Sequence, residues 1–174
     1  MRSFAIPCDV FVSEVKNHSI IKQDILNAIR DMGEFSYRMK ENQLSNTDWH
    51  LTTVERKYYD IVKPILDAHN EELGNALGFN MNITNYWFQQ YKTGDSHTWH
   101  LHGGATHSNV YYVELDSENP KTSFRHNGNE FDVPVKEGCI LTFPSYLTHC
   151  SKENKSLSTK TVIGFNTDAW IKDK

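Results

Sequence analysis

The chain has 174 residues, enough for one domain of ordinary size. Hydrophobic residues make up 38% and aromatics 12%, which supports a real core and excludes a disordered chain. The formal charge of −4 shows no basic excess for a nucleic-acid partner, and apolar runs of only a few residues cannot span a bilayer.

Three cysteines, Cys8, Cys139 and Cys150, are odd in number and lack Cys-x-x-Cys spacing. They read as reduced thiols of a cytoplasmic protein. Asp9 and Glu14 interrupt the N-terminus too early for the apolar stretch of a signal peptide. The expectation is a single domain over 1–174, with 1–80 as mostly helical support and 81–170 as the β core.

Residues 4–15 alternate loosely through Ile6, Cys8, Val10 and Val12 and suggest an opening strand. Ser19 is placed to cap a helix that runs to Met32, with Ile21, Ile25, Ala28 and Ile29 on one face and Gly33 as its stop. Residues 42–50 read as a polar loop. A longer helix starts at Thr53, carries Tyr58, Ile61, Val62, Ile65, Leu66 and Leu73 as its stripe, and ends at Gly78. Pro64 should kink or divide it. From Asn82 the texture turns β-branched and aromatic. Strands are expected over 83–91, 109–115, 123–125, 131–135, 139–143 and 159–167, with a turn at His126-Asn-Gly-Asn129. Helices first and strands afterwards predict an α+β, mainly β fold. Its antiparallel sandwich or small barrel carries the helices on one outer face.

Nine histidines are unusual, and four of them lie between His97 and His107. On a strand, side chains two apart share a face, so His100 and His102 point the same way and make half of a metal site. His149, at a strand end entering a turn, is the candidate third ligand. Three ligands on one face of an octahedron suit a non-haem Fe(II) that keeps positions for a chelating cosubstrate and O2. Tetrahedral coordination with one water would suit Zn2+. A lone His-x-His pair also occurs on ordinary surfaces. His97 and His107 read as solvated or supporting residues; His18, His50, His69 and His126 read as ordinary surface or helix positions. Lys160 lies in the last strand, where an interior ammonium implies an anionic guest. Tyr91 and Tyr112 are core aromatics whose hydroxyls can donate to the same anion.

Over about residues 87–166 the chain resembles the 2-oxoglutarate- and Fe(II)-dependent oxygenases, and most of all small phage and bacterial members related to prolyl hydroxylases. Tyr91-Lys-Thr-Gly-Asp95 is similar to that family's approach to the first iron ligand, and His100-Leu-His102 stands where the family has His-x-Asp/Glu. Ser108-Asn-Val-Tyr-Tyr-Val113 resembles the following strand. The segment from Gly138 through Phe143-Pro144 to His149 resembles the one that brings the distal ligand, and Lys160 falls where the family places an Arg or Lys for the far carboxylate of 2-oxoglutarate.

The resemblance implies a double-stranded β-helix (jelly roll, cupin-like) with N-terminal helices on one sheet. It also implies a dioxygenase using Fe(II), 2-oxoglutarate and O2, with ascorbate supportive and hydroxylation the default outcome. His100, His102 and His149 would hold the iron. Lys160, with Tyr91 and Tyr112 helping, would hold the C5-carboxylate of 2-oxoglutarate. Ser108 and Asn166 would orient metal-bound oxygens. The substrate would be a small molecule or a peptidyl group. His102 departs from the family carboxylate, and Asp95 is the alternative carboxylate nearby. Two other readings stand beside this one: a cupin-like three-histidine metalloenzyme without 2-oxoglutarate, and a non-catalytic jelly-roll binding module. Residues 42–51 and 117–131, with Trp49, Arg125, His126 and Asn127, are expected to wall the cavity mouth.

Overall fold

The computed structural model describes residues 8–40 and 43–172. Their order is β1 (Phe11–Glu14), α1 (His18–Met32), β2 (Ser36–Lys40), β3 (Gln43–Thr47), α2 (Lys57–Leu77) and β4 (Phe79–Tyr91). Then follow β5 (His97–His100), β6 (His107–Glu114), β7 (Thr122–His126), β8 (Asn129–Asp132), β9 (Cys139–Pro144), β10 (Thr148–Ser151) and β11 (Lys160–Ile171). Two antiparallel sheets result. The larger runs β1-β9-β6-β11-β4-β3-β2 and the smaller runs β5-β10-β7-β8.

Strand alternation assigns the two faces of the large sheet. Phe88, Tyr111, Ile140, Ile163 and Phe165 pack with Ile25 and Ile29 of α1 and Tyr58, Val62 and Leu66 of α2. Their neighbours Tyr91, Tyr112, Leu141, Phe143 and Val162 pack with Phe124 of the small sheet. Both helices therefore cover one outer face, and the second face closes against the small sheet, as the composition of the two halves predicts. Each of these fully buried large side chains contributes roughly 1.5–3 kcal/mol. The β7–β8 turn falls at the predicted Asn127-Gly128, where φ values of 49° and 79° give the left-handed pair that a two-residue hairpin needs. Among the described residues no helix is long and apolar enough to cross a membrane.

The N-terminal half departs from its sequence reading. Residues 43–47 form β3, not a loop; residue 42 lies outside the described residues, as does the start of the expected first strand. β1, β2 and β3 all join the large sheet, so 1–80 is not simply helical support. α1 starts at His18 with Asn17 in the capping position, which puts Ser19 inside the first turn. α2 starts at Lys57 because Arg56 is drawn back into the preceding loop. Its guanidinium donates to the Asp48 carboxylate (2.6 Å) and to the carbonyls of Asp48 and Leu51. Pro64 does not divide α2, which continues to Leu77. It sits on the exposed face, where the carbonyl it leaves unpaired can be hydrated, while Val62 and Leu66 hold the buried face.

A polar chain runs through the helix–sheet layer. Asn109 accepts from the Thr142 hydroxyl (2.6 Å), so Thr142 must accept from His69 Nε2 (2.8 Å), and His69 Nδ1 accepts from Ser13 (2.9 Å). His69 is thus a buried neutral imidazole on α2, and burial lowers its pKa to about 4. The unfolded chain protonates this residue below about 6.5, while the folded chain resists until about 4. The contribution is complete above 6.5 and is lost as pH falls through that window, by on the order of 3 kcal/mol. Urea unfolding at pH 7 and pH 4.5 should show a smaller pH-dependent loss in His69→Gln than in wild type; equal losses would remove His69 from this role.

Candidate metal centre

β5 and β10 carry the histidines. His149 lies opposite His100, and Ser151 opposite His97, so three steps along β5 match two along β10. This is a β-bulge, and it turns His97 to the side that His100 faces. Their rings stack, with centroids 4.0 Å apart and planes 19° from parallel. His102 lies two residues beyond the end of β5, where its backbone N–H donates to the Ser145 carbonyl (3.0 Å). It keeps the facing that strand periodicity predicts. His100, His102 and His149 bring one ligand atom each to within 4.8 Å of one another.

The hydrogen bonds fix the form of these three rings. His100 Nδ1 donates to the Thr98 carbonyl (2.7 Å) and His149 Nδ1 to the Leu147 carbonyl (2.9 Å). His102 Nδ1 donates to Asn166 Oδ1 (2.7 Å), which also accepts from the Ser108 hydroxyl (3.0 Å). With Nδ1 protonated and occupied, each neutral ring presents its lone pair at Nε2. Burial lowers the pKa of all three, with His149 pulled to about 3 by burial and by its histidine neighbours. Three neutral imidazoles oriented through their far nitrogens could hold a metal ion. Asn166 thus holds the His102 ring, and Ser108 donates to the same Asn166 oxygen.

A cavity of about 50 Å³ joins the histidines to Lys160. Lys160 is 1% exposed and donates to the Pro120 carbonyl (2.7 Å) and the Ser151 hydroxyl (2.9 Å). Its ammonium lies 4.9 Å from the Tyr91 ring and 6.0 Å from that of Tyr112. Burial pulls its pKa down to about 7. Among the described residues no carboxylate is a hydrogen-bond partner of Lys160, which leaves one ammonium proton for a guest. Tyr91 lines the cavity. The Tyr112 hydroxyl is instead paired with Thr122 (2.8 Å).

An outer cavity of about 310 Å³ opens over the histidines between Trp49 and Trp87. Among the described residues, no Asp, Glu, Lys or Arg lines it. Trp87 lies flat across Gly164 of the neighbouring strand, where an added Cβ would come within 2.6 Å of the indole. Trp49 is at the mouth as expected. Arg125, His126 and Asn127 are exposed on the β7–β8 hairpin and line neither cavity, with Arg125 stacked on Trp99 at 4.0 Å. Asp95 closes a turn, its carboxylate accepting from the Lys92 N–H (2.8 Å), and does not join the histidine cluster. The sequence reading did not single out Gln89, which lines both cavities; His97, read as solvated or supporting, lines them too, although period-two alternation alone would turn it away from His100.

No family model matches the sequence, and no curated protein matches it. Solved structures do. An oxidoreductase of the 2OG-Fe(II) oxygenase family from Burkholderia pseudomallei superposes with a TM-score of 0.75 at 8% identity, over 91% of this chain and 85% of that one. This chain has the fold of the 2-oxoglutarate oxygenases. A prolyl-4-hydroxylase from Pseudomonas putida gives 0.66 at 15% identity, over 91% and 92% of the two chains. The viral collagen prolyl hydroxylase of Paramecium Bursaria Chlorella virus-1 gives 0.60 at 14%, over 90% and 95%. The double-stranded β-helix of these oxygenases is thus formed here by the two facing sheets, with the three histidines between them.

Proposed function

We propose that this protein is a non-haem Fe(II)- and 2-oxoglutarate-dependent dioxygenase whose default outcome is hydroxylation. The carrying observation is that three Nε2 lone pairs converge at one end of a cavity whose other end holds a buried ammonium. His100, His102 and His149 hold Fe(II) through Nε2. Lys160 takes the far carboxylate of 2-oxoglutarate, with Tyr91 beside it. When bound, iron and cosubstrate supply the oxidative chemistry, in which O2 is cleaved, 2-oxoglutarate becomes succinate and CO2, and a substrate C–H bond is oxidised.

The remaining tasks fall to the chain. Asn166 and Ser108 set the His102 ring, and the Thr98 and Leu147 carbonyls set the other two. Trp87 and Phe143 wall the inner cavity and keep bulk water from it. The outer cavity receives a neutral part of a small molecule or a peptidyl side chain, since among the described residues no formal charge lines it. Three free thiols support a reducing, cytoplasmic setting. A cupin-like three-histidine enzyme would share the imidazoles but would leave Lys160 buried without an anion, a cost that disfavours it.

Anaerobic titration of Fe(II)-loaded protein with 2-oxoglutarate should develop a metal-to-ligand charge-transfer band. Lys160→Met should weaken that binding by about 100-fold, the usual scale for removing one partner of a buried charge pair. Because Lys160 titrates near 7 in the folded chain, it is charged below that pH and neutral above it. Wild-type affinity should therefore fall as pH rises from 7 to 9, and the variant should lack this slope. A loaded wild type without the band would rule out the oxygenase reading.

A further inference from the structure

The neighbours of one amide beside the metal-ligand candidates fix which of its ends faces the outer cavity. Asn166 lies on β11 between Ser108 of β6 and Asn85 of β4, and it is 7% exposed. Its Oδ1 accepts from His102 Nδ1 (2.7 Å) and from the Ser108 hydroxyl (3.0 Å), which uses both lone pairs. An amide whose oxygen is held by two donors keeps its nitrogen on the other side. Nδ2 is therefore turned away from His102 and Ser108, and among the described residues it has no hydrogen-bond partner. Ser108 lines the inner cavity and Asn166 the outer one. The NH2 is thus the end that meets the outer cavity, next to the ring of a ligand candidate.

The surroundings narrow what this donor selects. An NH2 group accepts nothing, so its partner is an acceptor oxygen. A carboxylate would find no cation, since among the described residues no Lys or Arg lines the outer cavity. A hydroxyl would bring a proton that Asn166 Oδ1, already filled, does not take. Thr47 is committed as well, donating to the Phe88 carbonyl (2.7 Å) and accepting from the Trp49 N–H (3.2 Å). Asn85, directly across the ladder, is exposed and turns to suit either partner. A neutral carbonyl meets the fixed donor fully, and Trp49 and Trp87 offer flat apolar walls for the carbon on either side of it.

We propose that Asn166 Nδ2–H2 donates to a neutral carbonyl oxygen of the substrate, which assigns the outer cavity to an uncharged amide group. The inference rests on the oxygenase reading above and deepens it by naming the chemical class of the substrate. Asn166 then serves both partners, with Oδ1 holding the His102 ring and Nδ2 holding the substrate beside it.

δ-Valerolactam, a neutral ring amide, is the probe. In protein loaded with 2-oxoglutarate and with diamagnetic Zn(II) in place of Fe(II), heteronuclear NMR should show saturable lactam binding that moves the Asn166 side-chain NH2 signals. The thiolactam analogue, a weaker acceptor, should bind about tenfold less tightly, the size of one hydrogen bond. Asn166→Asp keeps an acceptor for His102 and Ser108 but removes the NH2. It should keep its iron and lose lactam binding by at least about tenfold. The same titration with N-acetylalanine methylamide presents a peptide carbonyl, and the tighter of the two probes identifies the source as a free ring amide or a peptide bond. Lactam binding that leaves the Asn166 NH2 signals unmoved, absence of binding by both probes, or wild-type lactam affinity in Asn166→Asp would overturn the assignment and leave the oxygenase reading intact. Loss of iron in that variant would mean that an acceptor at this position does not hold His102, and would overturn it too. An Fe(II)-loaded wild type without the 2-oxoglutarate band would overturn the oxygenase reading and the substrate role with it.

Discussion

His149→Ala should lose iron by more than about 100-fold in affinity, beyond the 10–100-fold typical when only a supporting partner of a metal ligand is removed. His149 lies directly across the ladder from His100, and its Nδ1 is tied to the Leu147 carbonyl at 2.9 Å. Its ring also packs against Phe143 with centroids 4.7 Å apart, so Nε2 has little freedom to point elsewhere. Two histidines alone cannot define one face of a coordination sphere. Backbone pairing of β10 with β5 and β7 does not use the imidazole, so the variant should stay folded. Metal analysis after anaerobic reconstitution, together with circular dichroism, reads both parts. Stoichiometric iron retained at wild-type affinity would remove His149 from the centre and with it the metal geometry.

The largest stability effect is expected at Asp48, which is 0% exposed. Its Oδ2 accepts from Arg56 Nε (2.6 Å) and the Tyr58 hydroxyl (2.9 Å), and its Oδ1 accepts from the Phe88 N–H (2.8 Å). Burial, reinforced by the carboxylate, keeps the Tyr58 hydroxyl protonated and donating. Asp48→Ala leaves a guanidinium, a hydroxyl and a backbone N–H without their acceptor. Breaking a buried pair in this way costs about 3–5 kcal/mol, which for a chain of this length lowers Tm by about 10 °C. The same loop carries Trp49 to the outer cavity, so substrate affinity should fall along with stability. Denaturant unfolding measures the first effect, and a loss below about 1 kcal/mol would mean that the pair is screened as a surface bridge is.

The strands that carry the interior were legible because their residues obey local rules. Residues 83–91, 109–115 and 139–143 are dense in β-branched and aromatic side chains, and each lies within or largely overlaps an observed strand. β3 was not legible. It pairs with β4 through Asn46–Gln90 and Thr47–Gln89, partners more than forty positions away, and its polar residues give no periodic signal. The start of α2 was missed for a similar reason, since Arg56 answers to Asp48 and two loop carbonyls in place of helix propensity. His69 does lie on α2, within the expected surface or helix reading; its burial was not legible because its polar partners come from β1 and β9.

By itself the sequence determined which imidazoles and which ammonium were available, and that His100 and His102 share a face, because these depend on residue identity and strand periodicity. Tertiary structure decided which nitrogen each ring presents, since the acceptors Thr98, Leu147 and Asn166 are set by folded backbone and a distant strand. It also decided that His97 joins them, through a bulge that only pairing with β10 reveals. Position along a chain fixes chemistry and local facing, while protonation and convergence arise from neighbours that folding alone supplies.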